Sequence, residues 1–164
     1  MLQKKICLLG AFGVGKTSLV RRFVDTIFSD TYLTTVGVKI DKKVMRVGAE
    51  EMALILWDIA GEDAVAAVRV TYLRGAAGYL LVIDGTRPET LETAVSIQRR
   101  ITAEIGEVPF VALLNKSDLQ EDWALAPERI AELEAAGWSF RRTSAKTGMS
   151  VEESFEELAA RLAR

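Results

Sequence analysis

The chain has 164 residues, 49% hydrophobic and 27% charged, with 21 Lys and Arg against 23 Asp and Glu, one cysteine and no histidine. That length suits one domain able to bury its own core, and a net charge of −2 gives no global basic field to hold nucleic acid or an anionic bilayer. Without histidine there is no Ser-His-Asp or Cys-His hydrolase, no HExxH metalloprotease and no histidine zinc site, and a lone Cys7 forms no internal disulfide.

Short apolar runs alternate with helical patterns from end to end. The first strand is predicted over Lys5–Gly10, followed by a helix. The run Ile6–Val14 after Lys4 and Lys5 has the look of a short secretory segment, but Gly10 and Gly13 interrupt it, and it reads better as a strand entering a loop. Val36–Val47 is predicted as a half-exposed strand, with Val36, Val38 and Ile40 alternating with Gly37, Lys39 and Asp41. Gly48-Ala49-Glu50-Glu51 turns it into a strand over Ala53–Asp58. Gly78–Asp84 and Phe110–Asn115 are near-continuous apolar runs, as buried parallel strands require. Between them, Thr86-Arg87-Pro88-Glu89 reads as a capping box opening a helix with Leu91, Ala94, Val95, Ile101 and Ile105 on its buried stripe. A helix from near Pro127 closes at Gly137, a strand follows over Trp138–Thr143, and Ser150-Val151-Glu152-Glu153 boxes a last helix carrying Phe155, Leu158, Ala159 and Leu162. The longest later apolar run, Ala76–Ile83, is far below the roughly 18 residues of a membrane span, and with Leu2 after Met1 the expectation is no N-myristoylation. The expectation is a cytoplasmic chain with no transmembrane segment, recruited to a membrane only through a partner or a further tail, since no cysteine stands near Arg164 for prenylation.

This order of elements predicts an α/β domain: a six-stranded, mostly parallel sheet with one antiparallel edge strand and helices on both faces. Ligands of such sheets lie beyond the carboxyl ends of the strands, and the candidate chemistry follows the strands. Gly10-Ala11-Phe12-Gly13-Val14-Gly15-Lys16-Thr17 fits G-x-x-x-x-G-K-[ST] between strand and helix, which makes the domain a P-loop NTPase. Backbone N–H groups curl around phosphate there, Lys16 reaches the β- and γ-phosphates, and Thr17 offers its hydroxyl to Mg²⁺. Asn115-Lys116-Ser117-Asp118 chooses the base. A carboxylate at 118 accepts from both N1–H and the exocyclic amine of guanine, whereas adenine lacks the N1 proton; a site of this kind discriminates by roughly 10⁴–10⁵. Lys116 can lay its aliphatic stem on the base. Thr143-Ser144-Ala145-Lys146 offers backbone N–H groups to guanine O6, though alone it also fits an ordinary capped turn. Asp58, an acid ending an apolar strand beside a phosphate loop, calls for a cation or a polar partner.

These blocks, together with Trp57-Asp58-Ile59-Ala60-Gly61-Glu62, resemble the small GTPases of the Ras superfamily over about Lys5 to Leu162. Thr35-Val36-Gly37-Val38, Trp57 and Tyr72-Leu73-Arg74-Gly75-Ala76 are most similar to the Rab branch. Of the aromatic triad that Rab proteins present to effectors, Trp57 and Tyr72 match and Ile40 replaces a phenylalanine. The resemblance implies one G domain over 1–164 that binds GTP or GDP with Mg²⁺ and hydrolyses GTP as a molecular switch. It implies Phe28 against guanine, Tyr32 over the phosphates, Thr35 on Mg²⁺, Asp58 on Mg²⁺ through a water, and the Gly61 N–H on the γ-phosphate. Ser18 and Leu119 complete the nucleotide contacts, and Lys16, Thr35, Gly61 and Glu62 stand at the reacting phosphate. Residues 30–40 and 60–75 would meet effector, activating and exchange proteins.

Two departures bear on rate. Glu62 replaces a glutamine that positions the attacking water, and its charge repels γ-phosphoryl oxygens; Phe12 fills a loop position where a partner's arginine would pass. The expectation is slow intrinsic hydrolysis, and the alternative is a guanine-nucleotide-binding module with little or none. A third class, an ATP-dependent kinase or ATPase, shares the loop but has no use for Asn115 and Asp118. Ala64-Val65-Ala66-Ala67-Val68 is apolar where relatives carry charges, either a helix face packed on the sheet or a partner surface.

Overall fold

A computed structural model describes residues 1–25, 37–60 and 70–163. The expectations placed on Phe28, Tyr32, Thr35, Val36, Gly61, Glu62 and residues 64–68 fall outside these. Within them the order is β1 (Leu2–Leu9), α1 (Lys16–Asp25), β2 (Val38–Val47), β3 (Glu50–Ile59), α2 (Val70–Leu73), β4 (Ala76–Asp84), α3 (Glu89–Ile105), β5 (Phe110–Asn115), α4 (Pro127–Ala135), β6 (Phe140–Arg142) and α5 (Val151–Leu162). Among the described residues the strands form one six-stranded sheet in the order β2-β3-β1-β4-β5-β6. Only the β2–β3 pair is antiparallel, and β2 forms an edge. This is the α/β sheet that the sequence pattern implies. No helix among the described residues is long and apolar enough to cross a membrane.

The apolar runs alternate between two cores, because successive strand residues point to opposite faces. Ile6 and Leu8 of β1 join Leu54, Leu80 and Leu113 in one core, covered by Leu19 and Phe23 of α1 and by Phe155, Leu158 and Leu162 of α5. The rings of Phe23 and Phe155 stack at 3.9 Å. Cys7 and Leu9 join Leu81, Ile83 and Leu114 in the other, covered by Leu91, Ala94, Val95 and Ile101 of α3 and Leu133 of α4. The predicted stripes are the buried ones, with Ile105 packed at the margin.

Strand boundaries differ most at the ends. β1 begins at Leu2 rather than Lys5, because Leu2 to Leu8 all find partners on β3. β3 begins at Glu50, so the hairpin turn is only Gly48-Ala49, with Val47 opposite Glu50. β6 shortens to Phe140–Arg142. In β2, Ile40 is 51% and Val44 44% exposed, whereas Asp41, Lys43, Met45 and Val47 lie half-buried on the opposite face.

Neither predicted capping box forms. The Thr86 hydroxyl donates to Asp84 Oδ1 at 2.7 Å and so is taken from the helix. Thr90, fully buried in the first turn of α3, ties that turn to the end of β4 without capping the helix: its hydroxyl accepts from the Asp84 N–H at 2.9 Å and donates to the Arg87 carbonyl at 2.7 Å. Ser150 sits at φ 55, a left-handed conformation instead of the extended one that aims a cap side chain at the helix, and makes no cap bond. The exit of α4 is as expected. Gly137 N–H donates to Glu134 O and Trp138 N–H to Leu133 O, each at 3.0 Å, which is the Schellman closure.

Candidate nucleotide site

The parallel strands deliver their carboxyl ends to one edge of the sheet. Leu8 of β1 is level with Asp58 of β3, and Asp84 of β4 is level with Asn115 of β5. The loop Gly10–Gly15 emerges between them and enters α1 at Lys16. Gly13 at φ 75 and Gly15 at φ 103 give it left-handed turns that side chains resist.

Lys16 is 5% exposed, and its Nζ donates to the carbonyls of Gly10 at 3.2 Å and Ala11 at 3.1 Å. The loop thus encloses the ammonium, holding a compact positive charge where phosphate would lie. The Thr17 hydroxyl donates to Asp58 Oδ2 at 2.7 Å, with Thr17 9% and Asp58 0% exposed. A hydroxyl and a carboxylate brought together at the start of a phosphate-binding helix form the hard oxygen set that Mg²⁺ takes, with substrate phosphates supplying further oxygens. These residues fit the ion. Ser18 is buried one position further on.

The segments expected to read a base are tied to the Gly10–Gly15 loop directly. Asn115 is fully buried; its Nδ2 donates to Val14 O at 3.0 Å and its Oδ1 accepts from the Thr143 hydroxyl at 3.1 Å. Lys116 Nζ donates to Gly13 O at 2.8 Å and lies 2.9 Å from Asp84 Oδ2, so its stem spans the gap between the two loops. Asp118, half-buried, accepts at Oδ1 from the Ser144 hydroxyl at 2.8 Å. That bond restrains the carboxylate, a group that when ionised can accept two parallel donors. Leu119 follows, half-buried, with its N–H on Lys116 O at 2.9 Å. Ser144 and Ala145 are buried, and Lys146 is exposed. Gly13, Val14, Gly15, Lys16, Thr17 and Asp58 are therefore gathered with Asn115, Lys116, Asp118, Ser144 and Ala145 at one end of the sheet.

Three further residues hold this arrangement without belonging to a motif. Arg22 of α1 donates through Nε to Ala145 O at 2.8 Å and through Nη2 to Lys146 O, pinning the last loop to the phosphate helix. Asp84, 1% exposed, faces Lys116. Arg87 donates to Phe12 O at 2.9 Å. Asp84 carries the signal that marks Asp58, an acid ending an apolar strand; Arg22 and Arg87 carry none.

Beyond this edge, Ile40 pairs opposite Trp57, whose ring lies 6.3 Å from that of Tyr72. Lys5 Nζ sits 3.7 Å over the Trp57 ring and also donates to Arg74 O at 2.7 Å. The three positions compared with the effector-facing triad are thus neighbours.

Residues 5–164 match the Ras family. Ras-related protein Rab-13 of Mesocricetus auratus is 34% identical over 158 residues, covering 94% of this chain and 77% of that protein. Ras-related protein Rab-10 of Caenorhabditis elegans is 32% identical over 157 residues, with 94% of this chain and 78% of the relative covered. Ras-related protein Rab-8B of Bos taurus is 32% identical over 157 residues, at 94% and 76%.

Proposed function

The chain belongs to the Ras family, and from that premise we propose that it is a Rab-like switch, one G domain over 1–164, that binds GTP and GDP with Mg²⁺ and hydrolyses GTP slowly. The observation that carries this reading is the bonding of the guanine motif to the phosphate loop. Asn115 and Lys116 hold the Val14 and Gly13 carbonyls while Ser144 orients Asp118, so base and phosphates are read by one rigid unit.

Asp118 accepts from guanine N1–H and the 2-amine, and the Ala145 N–H donates to O6. Lys16 neutralises the β- and γ-phosphates inside the loop, with backbone N–H groups as fixed donors. Thr17, with Thr35 and Asp58, holds Mg²⁺. The ion, when bound, screens the phosphate charge and favours departure of the diphosphate. Thr35 and the Gly61 N–H are tethered by the γ-phosphate, and release when it leaves. Residues 30–40 and 60–75 then change what they offer to effector, activating and exchange proteins, with Ile40, Trp57 and Tyr72 on that face.

Glu62 accepts a hydrogen bond from the attacking water but repels the phosphoryl oxygens, so the intrinsic rate is low. Phe12 is 53% exposed on the loop, across the approach of a partner's cation. That exposure also favours the second reading, a module that holds guanine nucleotide and barely turns it over.

Extraction of nucleotide from the purified chain, followed by timed single-turnover conversion of loaded GTP, tests both. The expected result is bound GDP or GTP, slow conversion, faster conversion in Glu62→Gln, and a larger acceleration by an added activating protein in Phe12→Gly than in the parent. Fast turnover unchanged by either substitution overturns the kinetic account. An adenine nucleotide in the extract overturns the whole reading.

A further inference from the structure

Three consecutive carbonyls of the phosphate loop each accept a hydrogen bond from a side chain delivered by another part of the chain. Val14 O takes one from Asn115 Nδ2 at 3.0 Å, Gly13 O from Lys116 Nζ at 2.8 Å, and Phe12 O from Arg87 Nη1 at 2.9 Å. Among the described residues every peptide is trans, so the C=O of one residue and the N–H of the next lie in one rigid plane and point in opposite directions. Fixing the carbonyls of Phe12, Gly13 and Val14 on one side therefore turns the N–H groups of Gly13, Val14 and Gly15 to the other, as an anion-binding nest requires. Two of the three fixing groups come from the base-reading motif. The third comes from the turn between β4 and α3, where no motif points to it.

Arg87 is held in place. Asp84 Oδ2 lies 2.9 Å from Lys116 Nζ and 3.8 Å from Arg87 Nη1, gathering both cations, and Asp84 Oδ1 accepts from the Thr86 N–H and hydroxyl. Arg87 Nε donates to Glu89 Oε1 at 3.2 Å. The guanidinium also lies against Gly13: a Cβ there would stand 3.4 Å from Nη1.

We propose that Arg87 is a positioning residue for the bound nucleotide: it fixes the Phe12–Gly13 peptide so that the Gly13 N–H faces the phosphates, and its loss speeds nucleotide release. The inference rests on the reading that a guanine nucleotide occupies the loop. It is independent of Glu62 and of the rate of hydrolysis.

The test loads the full chain and its Arg87→Ala, Arg87→Gln and Arg87→Lys variants with GDP and Mg²⁺. It measures GDP release together with the phosphorus resonances of bound GDP and the Gly13 amide resonance. The expected result for Arg87→Ala is release about tenfold faster, a loss of about 1.4 kcal/mol, with both the β-phosphorus and the Gly13 amide displaced. Arg87→Lys, which keeps a charged donor, recovers most of the retention; Arg87→Gln recovers less. Melting of the nucleotide-free variants within about 2 °C of the parent excludes general loosening, since ~1 kcal/mol moves a domain of this size by about that much or more. Release within twofold of the parent in Arg87→Ala overturns the proposal. So does faster release with unmoved phosphorus and Gly13 resonances, which makes Arg87 a mere strut. A parent chain that holds no GDP at all overturns the functional reading itself, and does so before any variant is compared.

Discussion

Adding one methyl group at Gly10 tests how closely the phosphate loop is fitted to the sheet. A Cβ on Gly10 would stand 2.4 Å from Val82 O and 3.1 Å from Val14 Cγ2. Ordinary carbon–oxygen contacts run at roughly 3.3 Å or more, so about 1 Å must be found between the end of β1 and the backbone of β4. Neither side gives way cheaply, because Leu9 pairs with Leu81 in the same ladder and both are buried in the core. Overpacking of this kind costs about 1–3 kcal/mol, and contact with a carbonyl rather than a side-chain tip puts Gly10→Ala near the top of that range. With a urea dependence of about 2 kcal/mol per molar, a loss of ~3 kcal/mol lowers the unfolding midpoint by about 1.5 M. The Gly10 carbonyl also accepts from Lys16 Nζ, so relief by moving Gly10 displaces the ammonium and weakens GDP retention as well. Urea melts of the nucleotide-free chain with GDP displacement on the same samples check both effects. A midpoint within about 0.3 M of the parent, with unaltered retention, refutes the close approach and the reasoning built on it.

Asp118→Asn replaces an acceptor with an amide donor aimed at the guanine N1–H and 2-amine; GTP affinity is expected to fall by roughly 10⁴, and a base with a carbonyl at the 2-position, as in XTP, to be preferred. Competition between GTP and XTP checks this, and undiminished GTP binding would show that Asp118 does not read the base. Cys7 is fully buried with its Sγ–H on Tyr72 O, and burial, opposed only in part by Lys5, pushes its thiol from 9.0 up to about 11. Iodoacetamide near pH 8 should therefore leave Cys7 untouched in the folded chain and label it in urea; equal rates would contradict the burial. Because the unfolded thiol ionises first, the stability this group lends is complete below pH 9.0 and is lost as pH rises toward about 11. Urea midpoints across that interval should fall, and a rise would reverse the sign of the argument.

Much of the architecture lay open in the sequence because it rests on periodicity. Near-continuous apolar runs such as Phe110–Asn115, short and set between turn residues, read as strands covered on both faces, and the two cores are built from their alternate residues. The glycines, Lys16 and Thr17 of the loop and the Asn115-Lys116-Ser117-Asp118 run were legible because each chemistry needs those residue types at fixed spacing. What escaped was decided by competition or by reach. Thr86 and Ser150 have the right identity for caps, but Asp84 captures one hydroxyl and a left-handed backbone turns the other away. Arg22 and Arg87 are long cations whose partners lie 123 and 75 positions along the chain, and no local pattern records such a bond. The alternation in β2 announced a half-covered strand without saying which face is covered, so Ile40 and Val44 emerged on the open side.

In the proposed function, Asp118 and the loop around Lys16 form one site for a guanine nucleotide. Calorimetric titration of the nucleotide-free chain with GDP and with ADP, each with Mg²⁺, addresses it most directly. One GDP site per chain is expected, weakened when Mg²⁺ is removed, with ADP bound at least about 10⁴-fold less tightly. Equal affinity for the two nucleotides, or a preference for ADP, would contradict it.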